Sequence, residues 1–273
     1  MYELLTDELR VEVLDPVADA ALTGPRYCTG GYVFQVHDAR HGPLMSGPTY
    51  PDDFNWFDGQ GIPDSFALEP LRAPGVDTGD ALLLGVGVCD VEAGTVVERC
   101  VWEVAQTATS LTFRTAHAWG GFACTLGRTL TLVGRTLRSV TELINADDGR
   151  ALPVRWFPHP FFPQPAADEL FRTSAAVTLP ESEGYRIAED GSVHRRVLAP
   201  GHVGHYQELD HAASDPLTLV HRHDAVGSIT MTTSYVPERF VVWGNHYTVS
   251  AEPFHVATLA PGAQARWTVT YAF

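Results

Sequence analysis

Lysine is absent from this chain. All 18 basic residues among its 273 are arginines, set against 33 Asp and Glu, for a formal net charge of -15. Chemistry that needs a lysine amine is thereby excluded: Schiff-base aldolases, pyridoxal enzymes and phosphate loops with their lysine. The acidic balance argues against nucleic acid and against an anionic membrane surface, because both demand clustered basic charge. No apolar stretch approaches the roughly 18 residues of a membrane helix. The opening MYELLTDELRVEVLDP lacks an apolar run beside a basic flank, so it does not read as a signal peptide, and a cytoplasmic location is expected. Cysteine is scarce. Cys28, Cys89, Cys100 and Cys124 show no paired metal-ligand spacing and read as buried thiols.

Helical periodicity is also scarce: only the first dozen residues and Ala166–Phe171 allow a helix. Short alternating segments recur instead, at residues 31–36, 81–88, 110–115, 123–133, 137–144, 151–157, 228–233, 240–243 and 266–273. They are rich in Val, Thr, Leu and aromatics and are bounded by Gly, Pro, Asp or Asn. Asp148-Gly149 and Asp190-Gly191 stand where hairpin turns are expected. No strand–helix alternation favours a parallel sheet. The expected fold class is all-β, a large antiparallel β-sandwich formed by residues 1–273 as one domain.

Four stretches hold candidate chemistry. In Trp156-Phe157-Pro158-His159-Pro160-Phe161-Phe162-Pro163 a histidine is held between two prolines among aromatics. The rings could stack on the apolar face of a sugar while His159 handles a proton, or the run could simply be a strand end. Glu252, in Ser250-Ala251-Glu252-Pro253-Phe254-His255, ends an apolar strand; desolvation would tune it as a base, and an exposed turn is the plainer alternative. His202, His205 and His211 precede an H-x-H pair, His221 and His223, which could hold a metal in a β protein. No glutamate follows that pair at the needed spacing, so ordinary surface histidines are the simpler reading. Finally, Gly59-Gln60-Gly61-Ile62-Pro63-Asp64-Ser65-Phe66 reads as a tight loop where backbone nears a ligand or another strand.

Residues 127–162, GRTLTLVGRTLRSVTELINADDGRALPVRWFPHPFF, resemble the aldose 1-epimerase (galactose mutarotase-like) superfamily, with its two strands, its N-x-x-x-x-x-x-L-P turn and an H-P-Y-F type motif. The C-terminal SAEPFHVATLAPGAQARW is similar to that family's closing segment, an E-P dipeptide followed by L-x-P-G. The resemblance implies a supersandwich fold and interconversion of the α and β anomers of a sugar. It implies His159 as general acid and Glu252 as general base on opposite sides of the sugar, Phe161 as the aromatic beside the acid, and Asp210 as a sugar-contacting carboxylate. The family's upstream H-G-x-x-R segment is not matched by His37 or His41; the comparable region is the GQGIPDSF loop, so Gln60, Asp64 and Arg72 are the expected substrate contacts there. The implied partner is a small-molecule carbohydrate, with no cofactor and no metal, handled by a monomer or homodimer. A non-catalytic sugar-binding protein and a sugar-phosphate epimerase are the alternatives, the latter wanting two arginines at one pocket, with Arg26 and Arg72 first in line.

Overall fold

The computed structural model describes residues 1–75, 79–201 and 203–273. Antiparallel strands dominate, and the one helical element among the described residues is a 3-10 turn, Ala20–Leu22. A ten-stranded sheet runs, in spatial order, through Tyr185–Ile187, Val193–Arg195, Glu169–Thr173, Thr218–His223, Gly227–Thr233, Gln264–Ala272, Thr136–Asn145, Phe122–Val133, Ser110–Trp119 and Glu103–Gln106. A second sheet runs through Val177–Thr178, His205–His211, Arg239–Gly244, Thr248–Leu259, Leu152–Pro158 and Asp64–Ser65, with Phe162–Pro163 paired to Thr248–Leu259. Period-two alternation decides which side chains meet between the sheets. Leu126 and Leu130 from one sheet and Val154, Trp156, Phe240, Val242 and Ala251 from the other share one buried cluster, with Trp156 and Trp267 rings 5.5 Å apart.

The first dozen residues are not helical. Tyr2–Leu5 and Leu9–Val13 form an antiparallel pair, turned at Thr6, whose Oγ1 accepts the Leu9 amide at 3.0 Å. Leu9, Val11 and Val13 alternate inward, and β-branched valine at that spacing favours a pleated strand. Ala166–Phe171 is likewise not a helix; the strand Glu169–Thr173 occupies its second half. Asp190-Gly191 does turn a hairpin, between Tyr185–Ile187 and Val193–Arg195, with Gly191 at φ +82°. Asp148-Gly149 does not: its flanking strands lie in different sheets, so the turn carries the chain across the sandwich. The cysteines are free thiols, three of them buried and Cys100 half-buried.

The second sheet has a face turned away from this core, and that face carries its own small apolar clusters. Phe157, Val241 and Phe254 form one; Leu14, Tyr27, Tyr32 and Phe161 form the other, with Trp243 against it. His159 and Glu252 lie on this side.

Candidate active site

Glu252 sits in the Thr248–Leu259 strand, opposite Val241 on the neighbouring strand. Its alternation puts Ser250, Glu252 and Phe254 on the face away from the main core. The Leu152–Pro158 strand pairs on the other side, with Trp156 opposite His255, and Phe157 stacks on Phe254 at 4.6 Å. His159 follows directly. Its amide donates to Pro63 O and that of Phe161 to Gly61 O, both at 2.8 Å, so the GQGIPDSF loop is the platform of the Pro-His-Pro-Phe turn. Gly61 is required there: at φ +77°, a Cβ would stand 2.4 Å from the carbonyl oxygens of Val33 and Phe34. The loop's glycine thus serves close approach to another strand.

The structure brings His159 and Glu252 together. His159 Nε2 stands 3.3 Å from Glu252 Oε1, with the two residues 2% and 4% exposed. They lie side by side, which corrects the expectation that they flank a ligand from opposite sides. The contact is not aligned as a hydrogen bond: Glu252 Oε1 and His159 Nδ1 are both buried without a hydrogen-bond partner. Leaving such a group unpaired costs about 1–3 kcal/mol. Phe161 stacks on the His159 ring at 4.3 Å, while Tyr27 and Trp243 meet it edge-on at 6.0 and 5.9 Å. This aromatic box excludes water and sets the protonation of the pair. Burial pushes the Glu252 carboxyl up to about 8, against the opposing pull of Arg26 and the Ser250 hydroxyl. Burial, reinforced by Arg26, holds His159 well below its ordinary value. At pH 7 the pair is therefore a carboxylic acid beside a neutral imidazole: close enough for an ion pair, but carrying one proton and no net charge.

Arg26 is the one charged group acting on both members. Its guanidinium lies over the Tyr27 and Phe57 rings and donates to Phe57 O at 2.6 Å, while Tyr27 Oη donates to Asp58 O at 2.9 Å. Tyr27 and Trp243 are site residues that the sequence reading does not contain, and it contains Arg26 only as a phosphate ligand. No local pattern marks the first two; they arrive from strands and loops distant in the chain.

The remaining expected contacts are placed otherwise. Asp64 does not face the pair. Its carboxylate turns into the sandwich core, where Arg128 binds both of its oxygens. Gln60 is buried and its side-chain amide donates to Phe34 O at 3.4 Å, committing it to the loop. Arg72 is exposed and takes no part in the contacts of the pair. Asp210 is exposed on the His205–His211 strand; it shares a sheet face with Tyr206 and Glu208, but Glu208 is the residue in register with Val241, beside Glu252. A strand rises about 3.3 Å per residue, so Asp210 lies beyond the pair's reach. Arg128 carries a signal in the sequence, since it shares the inward parity of Leu126, Leu130 and Leu132.

His221 and His223 do share one face, but they are buried, not surface residues. His221 packs between Phe162 and Phe171, and His223 Nε2 lies 3.0 Å from Leu44 O. His205 and His211 are half-buried; His202 lies outside the described residues. Among the described residues no group of three His, Cys, Asp or Glu could hold a metal ion, and no helix is long and apolar enough to cross a membrane.

No family model matches the chain, and no curated protein matches it. Solved structures do. A galactose mutarotase-like protein from Lactobacillus casei ATCC 334 superposes with a TM-score of 0.59 at 16% identity, covering 100% of this chain and 99% of that one. The Slr1438 protein from Synechocystis sp. PCC 6803 gives 0.58 at 17% identity, covering 99% and 94%. A GalM/aldose epimerase homologue from C. elegans gives 0.50 at 10% identity, covering 99% and 97%. Over its whole length, this chain has the galactose mutarotase-like β-sandwich fold.

Proposed function

We propose that this protein is an isomerase of the aldose 1-epimerase type, which interconverts the α and β anomers of a neutral sugar. The observation that carries the reading is the side-by-side contact of His159 Nε2 and Glu252 Oε1 at 3.3 Å inside an aromatic box. The ring oxygen and the anomeric hydroxyl of a pyranose share one carbon, so an acid and a base in adjacent positions reach both from one edge of the sugar. Ring opening breaks the bond between the anomeric carbon and the ring oxygen. The ring oxygen takes a proton from Glu252 as His159 accepts the proton of the anomeric hydroxyl, leaving an open-chain aldehyde. Rotation about the adjacent carbon–carbon bond presents the other face. Closure then runs the transfers backward, with imidazolium as the acid and carboxylate as the base. Each residue serves in both roles within one cycle; for ring opening this reverses the expected assignment of His159 as acid and Glu252 as base, which holds for the closing half. One proton suffices, and acid–base catalysis of this kind contributes about 10²–10⁴-fold.

Phe161, Tyr27 and Trp243 supply apolar and edge-on surface for the sugar ring, and His159 Nδ1 has no partner within the protein. A neutral sugar is favoured over a phosphate. Of the two arginines considered, only Arg26 acts electrostatically on the pair, and it is already bonded to Phe57 O.

Exchange spectroscopy between the anomers of glucose, galactose, mannose and glucose 6-phosphate tests the proposal. Faster exchange of at least one neutral aldose is expected with the wild type, falling by 10² or more in E252Q and in H159N. Saturable sugar binding with exchange equal to that of buffer would replace this reading with that of a binding protein.

A further inference from the structure

We infer that Asp64 and Arg128, buried on the core side of the sandwich, are the positioning pair that sets the place of His159; this rests on the reading of His159 and Glu252 as the reacting groups. Asp64 is 7% exposed and Arg128 1%. Arg128 Nη1 donates to Asp64 Oδ1 at 2.6 Å, Nη2 donates to Oδ2, and Nη2 also lies 3.2 Å from Ser139 Oγ. The space beside the pair is about 10 Å³, walled by residues such as Leu130, Trp156 and Tyr271. That is room for no more than about one water. Arg128 belongs to the Phe122–Val133 strand of the ten-stranded sheet, and Asp64 to the two-residue strand at the edge of the other. The ion pair is therefore a bolt through the sandwich.

What it bolts is the platform of the site. The Asp64–Ser65 strand pairs with Phe157 and Pro158 over two residues only, continued by the bond from the His159 amide to Pro63 O. The same two residues hold the segment bearing Arg26 and Tyr27: the Cys28 amide donates to Asp64 O at 2.9 Å and Ser65 Oγ donates to Arg26 O at 2.6 Å. One residue earlier, Pro63 O takes the His159 amide. Two backbone segments that line the site thus converge on a strand too short to hold itself. Burying a charged pair is costly, and apolar residues of similar volume often serve stability as well or better. Its distinct contribution here is to position: a bidentate fork fixes both the distance and the plane of the Asp64 carboxylate.

The test replaces both partners at once, in D64L/R128M, so that no lone charge is left buried. Two readouts are taken on full-length protein: ring signals of labelled histidines, with His117 and His221 as internal controls, and anomer exchange resolved into kcat and KM. The expected result is a folded protein whose His159 signals and titration move while those of His117 and His221 stay, and whose kcat falls tenfold or more with KM changed less than about twofold. Unmoved His159 signals in the folded double variant would overturn the inference, leaving the pair a plain structural tie. If the double variant does not fold, D64E decides, since it keeps both charges and lengthens one arm; unchanged His159 signals there would equally overturn it. The histidine spectra do not depend on turnover, so a wild type without anomer exchange would count against the epimerase proposal alone.

Discussion

Two buried pairs of acidic and basic side chains lie on opposite faces of one sheet, and they solve the same electrostatic problem differently. Asp64 and Arg128 meet through a two-bond fork. Glu252 and His159 touch at 3.3 Å without an aligned hydrogen bond, and a polar atom of each is unpaired. The difference lies in the base. Arginine does not release its proton inside a protein, so its pair must stay ionic and can be held in the interior only by strong, directional bonds. Histidine can go neutral, so burial discharges that pair by leaving the proton on the carboxyl. One arrangement is static. The other retains a movable proton and unused hydrogen-bonding capacity, which is what a site for proton transfer requires.

Breaking the ionic pair should have the largest effect on stability. R128A leaves the Asp64 carboxylate alone in the core and is expected to cost about 3–5 kcal/mol in urea unfolding, whereas D64L/R128M should lie close to the wild type. A similar loss in both would erase the distinction between a stranded charge and a missing tie.

The neutral pair should reveal itself through pH. The Glu252 carboxyl is held near 8, above its ordinary 4.5, so its protonated form stabilises the fold at acid pH and that contribution is lost as the pH rises through about 8. His159 is held below 6.5, so its contribution is present above that value and lost as the pH falls. Relative to E252Q, which mimics the protonated acid, the wild type should lose on the order of a few kcal/mol between pH 5 and pH 9. Parallel unfolding curves for the two proteins would mean that Glu252 is already ionised in the fold. H159N should flatten the acid limb instead.

R26M sharpens the comparison further. Removing the one cation that acts on both members should move the Glu252 titration upward, by up to about one unit, and with it the alkaline limb of the activity profile. The smallest effects are expected at the exposed positions. R72A and D210N should change stability by less than about 0.5 kcal/mol and leave anomer exchange within about twofold of the wild type.

The legibility of these features in the sequence follows their range. Alternation announced the strands, and it placed Arg128 on an inward row of leucines, although nothing local showed where its countercharge would come from. Around Thr6 and in Ala166–Phe171 the apolar residues fit a helix or a strand equally well in a short window; pairing with a neighbour decided for the strand. Asp148-Gly149 had the residues of a hairpin turn, but the partner of each flanking strand was already settled by the sheet order.

What the sequence determined by itself is the all-β character, the Pro-His-Pro rigidity around His159 and the chemistry that absence of lysine forbids, since each depends on residue type and near neighbours. Only the tertiary structure decided that His159 and Glu252 touch, that Tyr27, Phe161 and Trp243 close on the His159 ring, and that Asp64 turns its back on the site to grip Arg128. Those are contacts between segments far apart in the chain, and burial, which sets where the proton rests, exists only once they have come together.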